Sequence, residues 1–148
     1  MGKRRELSTA IIIHGIDDAR AALDAAAALG RSVTLVSAPG AAGYAGAAWF
    51  LKVVSIAAAE NPEARWEAVL DCADKPGHVL AALRQGAKAV RYTGPKKTAR
   101  KLADIAEQSG ARLETGRLDA FDLRSEADPG VACRAWLDRR PRGARSRG

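Results

Sequence analysis

The sequence predicts an α/β fold, in the form of a parallel five-stranded βα repeat. Short β-branched runs alternate with Ala-rich helical runs, and strands are expected to begin near residues 10, 33, 66, 89 and 111. The punctuation repeats too: a helix, a Gly, one or two polar residues and an apolar strand recur at Gly30/Val33, Gly86/Ala89 and Gly110/Arg112. With 148 residues, 47% of them hydrophobic, the chain has enough apolar surface for one core. Two architectures satisfy this rhythm. One is a half TIM barrel with helices on the outside only; the other is an open, flavodoxin-like sheet with helices on both faces.

Residues 1–9 read as a polar arm and residues 10–123 as the α/β domain. The run Ala10-Ile11-Ile12-Ile13-His14-Gly15 is β-branched and closed by Gly, as a buried strand would be. Asp17 is placed to cap a helix over 19–29, which Gly30 stops. The second strand is 33–37. A small-residue loop, Pro39-Gly40-Ala41-Ala42-Gly43-Tyr44-Ala45-Gly46, leads into a helix over 47–60, ended by Pro62. Residues 66–70 form the third strand, and a helix over 77–85 follows. Residues 89–92 are the fourth strand. Pro95 opens a helix that runs to 108, and 112–115 is the fifth strand. Beyond Leu123 the pattern dissolves into a basic, largely disordered tail, 124–148, in which 131–138 around Trp136 can be helical.

Charge and composition narrow the function classes. Aromatics are 5% of the chain, too few for a base-stacking surface. The net charge is +7, and +4 of it lies in the last 25 residues, which carry seven Arg against Glu126, Asp128 and Asp138. Such a tail is most simply a solvated segment, with weak nucleic-acid contact as the other use. Two cysteines, Cys72 and Cys133, form no disulfide framework and fit a reducing compartment. The apolar run after the N-terminus is too short for a signal peptide, and nothing approaches a membrane span. A cytoplasmic protein without membrane insertion is expected.

The stretch Trp66-Glu67-Ala68-Val69-Leu70-Asp71-Cys72-Ala73-Asp74 carries the chemistry-bearing residues. Asp71 and Asp74 sit at a carboxyl strand end, where α/β folds place their sites. They read as a catalytic proton-transfer pair, or as structural groups: Asp74 a helix cap and Asp71 an acceptor for backbone amides. Cys72 is a metal ligand, a nucleophile or a packing residue. With His14 and His78 on the same rim it would complete a metal shell, although no short ligand spacing supports one. Ser37, Gly40, Gly43 and Tyr44 outline a loop that can cradle an anion before a helix, and Gly94 opens a second such place beside Lys96 and Lys97. Trp49 and Phe50 are expected to pack on the sheet, Trp66 to anchor its strand, and Trp136 to dock on a partner or on its own domain.

The run VTLVSAPGAAGYAGAAWFL (33–51), the strand end Ala68 to Asp74 and the unit Gly86 to Gly94 resemble the class II, zinc-dependent fructose- and tagatose-bisphosphate aldolases. The resemblance spans residues 10–118 and implies the first half of a TIM barrel, the arrangement therefore preferred. It implies that Asp71 matches the family's catalytic acid and that Cys72 stands where the first zinc-binding His belongs. Thiolate there is a softer donor that would weaken carbonyl polarisation. Ala73 and Asp74 match the Gly and Asp that follow; Glu114 fits an acidic pattern whose second Glu is replaced by Gly116. The other zinc ligands and the phosphate-binding Gly loops belong to later strands. A degenerate or truncated relative is expected, an aldolase-like domain without zinc-dependent cleavage that binds a small phosphorylated or carbonyl ligand. Zinc remains a conceivable but disfavoured cofactor. The alternative is a non-catalytic interaction module using its sheet edges and basic Trp-containing tail. Two open edges favour a homodimer or another protein partner.

Overall fold

The computed structural model describes residues 7–139. The first six residues of the predicted arm, the last nine of the tail and the side chain of Tyr44 lie outside the described residues. Twelve elements follow in order: β1 (Ala10–Ile13), α1 (Ile16–Leu29), β2 (Ser32–Ser37), α2 (Ala41–Tyr44), α3 (Ala47–Ala59), β3 (Arg65–Asp71), α4 (Pro76–Arg84), β4 (Ala89–Arg91), α5 (Lys96–Gln108), β5 (Arg112–Glu114), β6 (Ala120–Asp122) and α6 (Pro129–Asp138).

The five expected strands are present, and a sixth joins them in the order β5-β4-β3-β2-β1-β6, with every recorded pairing parallel. β1 to β5 step across the sheet in one direction. Right-handed crossovers then force their helices onto one face. Alternation along the strands shows it: Ile11, Leu35, Leu70 and Val90 join the core with α1, α3, α4, α5 and α6, whereas Ala10, Val36, Val69 and Ala89 form a separate small cluster on the other face. This is the arrangement of a (β/α)-barrel segment. The flavodoxin-like alternative requires helices on both faces and is not what forms.

The sixth strand obeys the same handedness. From β5 the chain must return across the whole sheet to pair with β1. A right-handed connection in that reversed direction has to cross the helix-free face. It does: Leu118 and Ala120 pack on the small cluster of Ala10, Val36, Val69 and Ala89, and Arg91 donates to the Gly116 carbonyl. The face that a complete barrel would turn inward is thus covered by its own connector.

Two local expectations are corrected. The first helix begins at Ile16 with Gly15 as its N-cap, and Asp18, not Asp17, reaches back to accept the His14 amide at 2.8 Å. Helical phase buries Phe50 but leaves Trp49 43% exposed, and Trp66 is similarly exposed. The segment read as able to form a helix around Trp136 does so as α6, capped by Asp128, which accepts from Val131. Cys133 and Leu137 are buried in the main core, and Trp136 stacks on Phe121 at 5.5 Å beneath the Arg139 guanidinium. No helix among the described residues is long and apolar enough to cross a membrane.

Candidate functional site

Three of the expected site residues meet at the carboxyl ends of β2 and β3. Asp71 points to the helix-free face, 7% exposed. Its Oδ1 accepts the amides of Gly40 (3.0 Å) and Ala73 (2.8 Å), and its Oδ2 lies 3.6 Å from Arg91 Nε. The Ser37 hydroxyl accepts the Asp71 amide at 2.8 Å. Gly40 holds the left-handed φ of 72° that turns its N–H toward the carboxylate. Asp71 therefore fastens the loop after β2 to the loop after β3, and Arg91, only 8% exposed, balances its charge. Arg91 was legible as a charge inside an apolar strand run, but its partner was not.

The remaining candidates lie apart. Cys72 follows Asp71 and so faces the helices, fully buried in the main core. Burial, and then the Asp71 charge, push its thiol up to about 12. His14 Nε2 is hydrogen-bonded to Asp122 at 2.6 Å on the far side of the rim. His78 packs its ring against Gly43, and its buried Nδ1 has no partner among the described residues. Asp74 is exposed and lies 3.7 Å from Lys75 Nζ; Lys75, not Asp74, is the N-cap of α4. Among the described residues no three His, Cys, Asp or Glu converge as a metal shell. The donors that the aldolase resemblance points to do not fit a zinc ion: the thiol is on one face of β3, the carboxylate on the other and already engaged.

Gly94 belongs to a different feature. A cleft of about 530 Å³ opens at the carboxyl ends of β4 and β5, between them and the start of α5. Thr93, Gly94, Lys96, Arg100 and Thr115 bring polar groups to it, and Ala99, Ala103 and Leu113 an apolar wall. Its volume is in the range of small-ligand sites. Pro95 caps α5, no acidic residue occupies the first turn, and the helix start adds its own positive potential to the two cations. Lys96 was noticeable beside Gly94 in the sequence. Arg100, one turn on, gave a weaker signal, and Thr115 and Leu113 reach the cleft only through the β4–β5 pairing.

No family model matches the chain, and no curated protein matches it. Among solved structures, it is similar to a protein provisionally described as a fructose-1,6-bisphosphate aldolase from Coccidioides immitis, with a TM-score of 0.61 and 19% identity over 72% of this chain and 44% of that one. The chain thus spans less than half the length of that relative. The likeness is one of fold: this chain is an α/β domain whose sheet and helices are arranged like part of that protein.

Proposed function

We propose that this domain binds a small phosphorylated or carbonyl ligand at the carboxyl ends of its strands and does not carry out zinc-dependent aldol cleavage. The observation that carries the reading is the cleft beside Gly94, where Lys96 and Arg100 stand together at the start of α5. An anionic head group would meet two cations and unbonded first-turn amides there. Against cleavage stands the placement of the matched groups: both oxygens of Asp71 face internal partners, Cys72 is on the opposite face, and Glu114 is ion-paired with Arg112.

The test is calorimetric titration of dihydroxyacetone phosphate into the wild type and into Lys96→Ala/Arg100→Ala. Saturable binding that the double variant loses supports the reading; heat indistinguishable from dilution in the wild type overturns it. Pairing with a second copy belongs to the same proposal. The β5 edge carries the charges of Arg112 and Glu114, with Arg112 also ion-paired to Glu67 of β3, and they discourage edge pairing. The β6 edge, on the other side of the sheet from the cleft, is therefore the one through which a two-fold dimer would form.

A further inference from the structure

Tyr92 is the largest fully buried side chain, 1% exposed, yet it lines the cleft. Its ring belongs to the main core, as alternation from Val90 dictates. Its hydroxyl lies under Gly94, and a Cβ at that position would overlap Oη. Gly94 is thus what leaves the hydroxyl room at the floor of the cleft. Among the described residues Oη has no hydrogen-bond partner, and neither Lys96 nor Arg100 has an ion-pair partner. The ring is buried but the hydroxyl opens onto the cleft, so an acceptor placed there would meet Oη and the two cations, which share the same lining.

We infer that the cleft takes an organic phosphate with a mainly apolar body, its phosphate held by Lys96, Arg100 and the Tyr92 hydroxyl. The inference rests on the reading of the domain as a binder of phosphorylated ligands; it adds the ligand class and the group that selects it. Inorganic phosphate would occupy a small part of about 530 Å³. Beside Thr93 and Thr115, the remaining wall is the apolar side of Ala99, Ala103 and Leu113, which suits hydrocarbon better than the hydroxyls of a sugar phosphate. A second protein segment is a worse occupant. It would have to desolvate Lys96, Arg100 and the Tyr92 hydroxyl without supplying a counter-charge.

The test is an NMR titration of the full chain with phenyl phosphate, glycerol phosphate and inorganic phosphate, in the wild type, Tyr92→Phe and Arg100→Gln. The expected result has phenyl phosphate binding about tenfold tighter than glycerol phosphate, as burial of a small apolar group allows. Amide shifts then cluster at residues 93–100 and 115–116. Tyr92→Phe, which keeps the ring, weakens phenyl phosphate about tenfold through the lost charge-assisted hydrogen bond, and Arg100→Gln weakens all three anions. Phosphate esters that bind but shift Gly40 and Gly43 instead overturn this inference and leave the broader reading standing. Equal affinity for the two esters, or no effect of Tyr92→Phe, overturns it also. If no phosphate compound binds, this inference falls together with the phosphorylated-ligand half of the broader reading. Shifts at the cleft that grow with protein concentration alone would give it to a second copy of the chain.

Discussion

Ala73 holds a φ of 52°, left-handed backbone that costs a residue with a Cβ roughly 1–2 kcal/mol. The aldolase resemblance matches this position to a Gly, and the backbone supplies the reason. Ala73→Gly should relieve the strain, while the greater freedom of Gly in the unfolded chain takes back roughly 0.5–1 kcal/mol. The net expectation is a gain of about 0.5 kcal/mol in urea unfolding; a lower midpoint would show that the strain is absent. Asp71→Ala should act in the opposite sense. It leaves two amides without their acceptor and the buried Arg91 without its counter-charge, a loss of about 3–5 kcal/mol. If folding stability is unchanged, Asp71 is not the fastener described above. Burial is the main cause that pushes both Cys72 and Cys133 thiols up to about 12. Asp71 adds to it at Cys72; at Cys133, Asp18 and Glu126 add and Arg134 opposes. Neither should react with a disulfide reagent at pH 8 until the chain unfolds, and prompt native-state labelling would contradict this. At this scale the sequence revealed candidates but not their surroundings. Strand alternation alone separates Asp71 from Cys72, so the split of the metal set was readable; the Gly40 amide and the Arg91 counter-charge come from loops and strands 20 to 31 positions away in sequence.

The elements were legible in proportion to their length and periodicity. α1, α3 and α5 each exceed twelve residues and were read within a few positions. β6 has three residues, AFD, with burial shared between its two faces, and carries no alternation long enough to detect. α6 was legible as a short helical run around Trp136, but the Arg-rich composition around it hid its place in the core. It is nonetheless part of the core, so removing residues 124–148 should lower the melting temperature markedly and expose apolar surface to a hydrophobic dye. A truncated protein that melts with the full chain would show α6 to be dispensable. β6 also carries an acid-sensitive contact. Burial tends to raise the Asp122 carboxyl, but the His14 hydrogen bond and then the Arg124 amide outweigh it and hold the group below its ordinary value. A depressed carboxylate stabilises the fold above its unfolded pKa and loses that contribution as pH falls through the folded value. Asp122→Asn should therefore flatten the stability profile below about pH 4, with no change in that limb counting against the His14 link.

At the scale of the whole molecule, strand order was the informative expectation. Sequential βα units with a preference for the half barrel anticipated one-sided helices, and handedness explains both those helices and the connector on the opposite face. The return of the chain to β1 was not readable, because five residues between β5 and β6 bear no secondary-structure signal. Sedimentation as concentration is raised should show twice the mass of one chain if the β6 edge pairs; a single-chain mass throughout would leave both edges unused.

Arg139 Nη2 donates to the Ser8 carbonyl at 3.0 Å, so the two ends of the described chain meet beside α6. Entry and exit points that close together make the order of the units in the gene separable from their order in space. A circular permutant with a short linker joining 139 to 8, reopened at the exposed turn near Asn61, should fold to the same sheet with β3 as its new beginning.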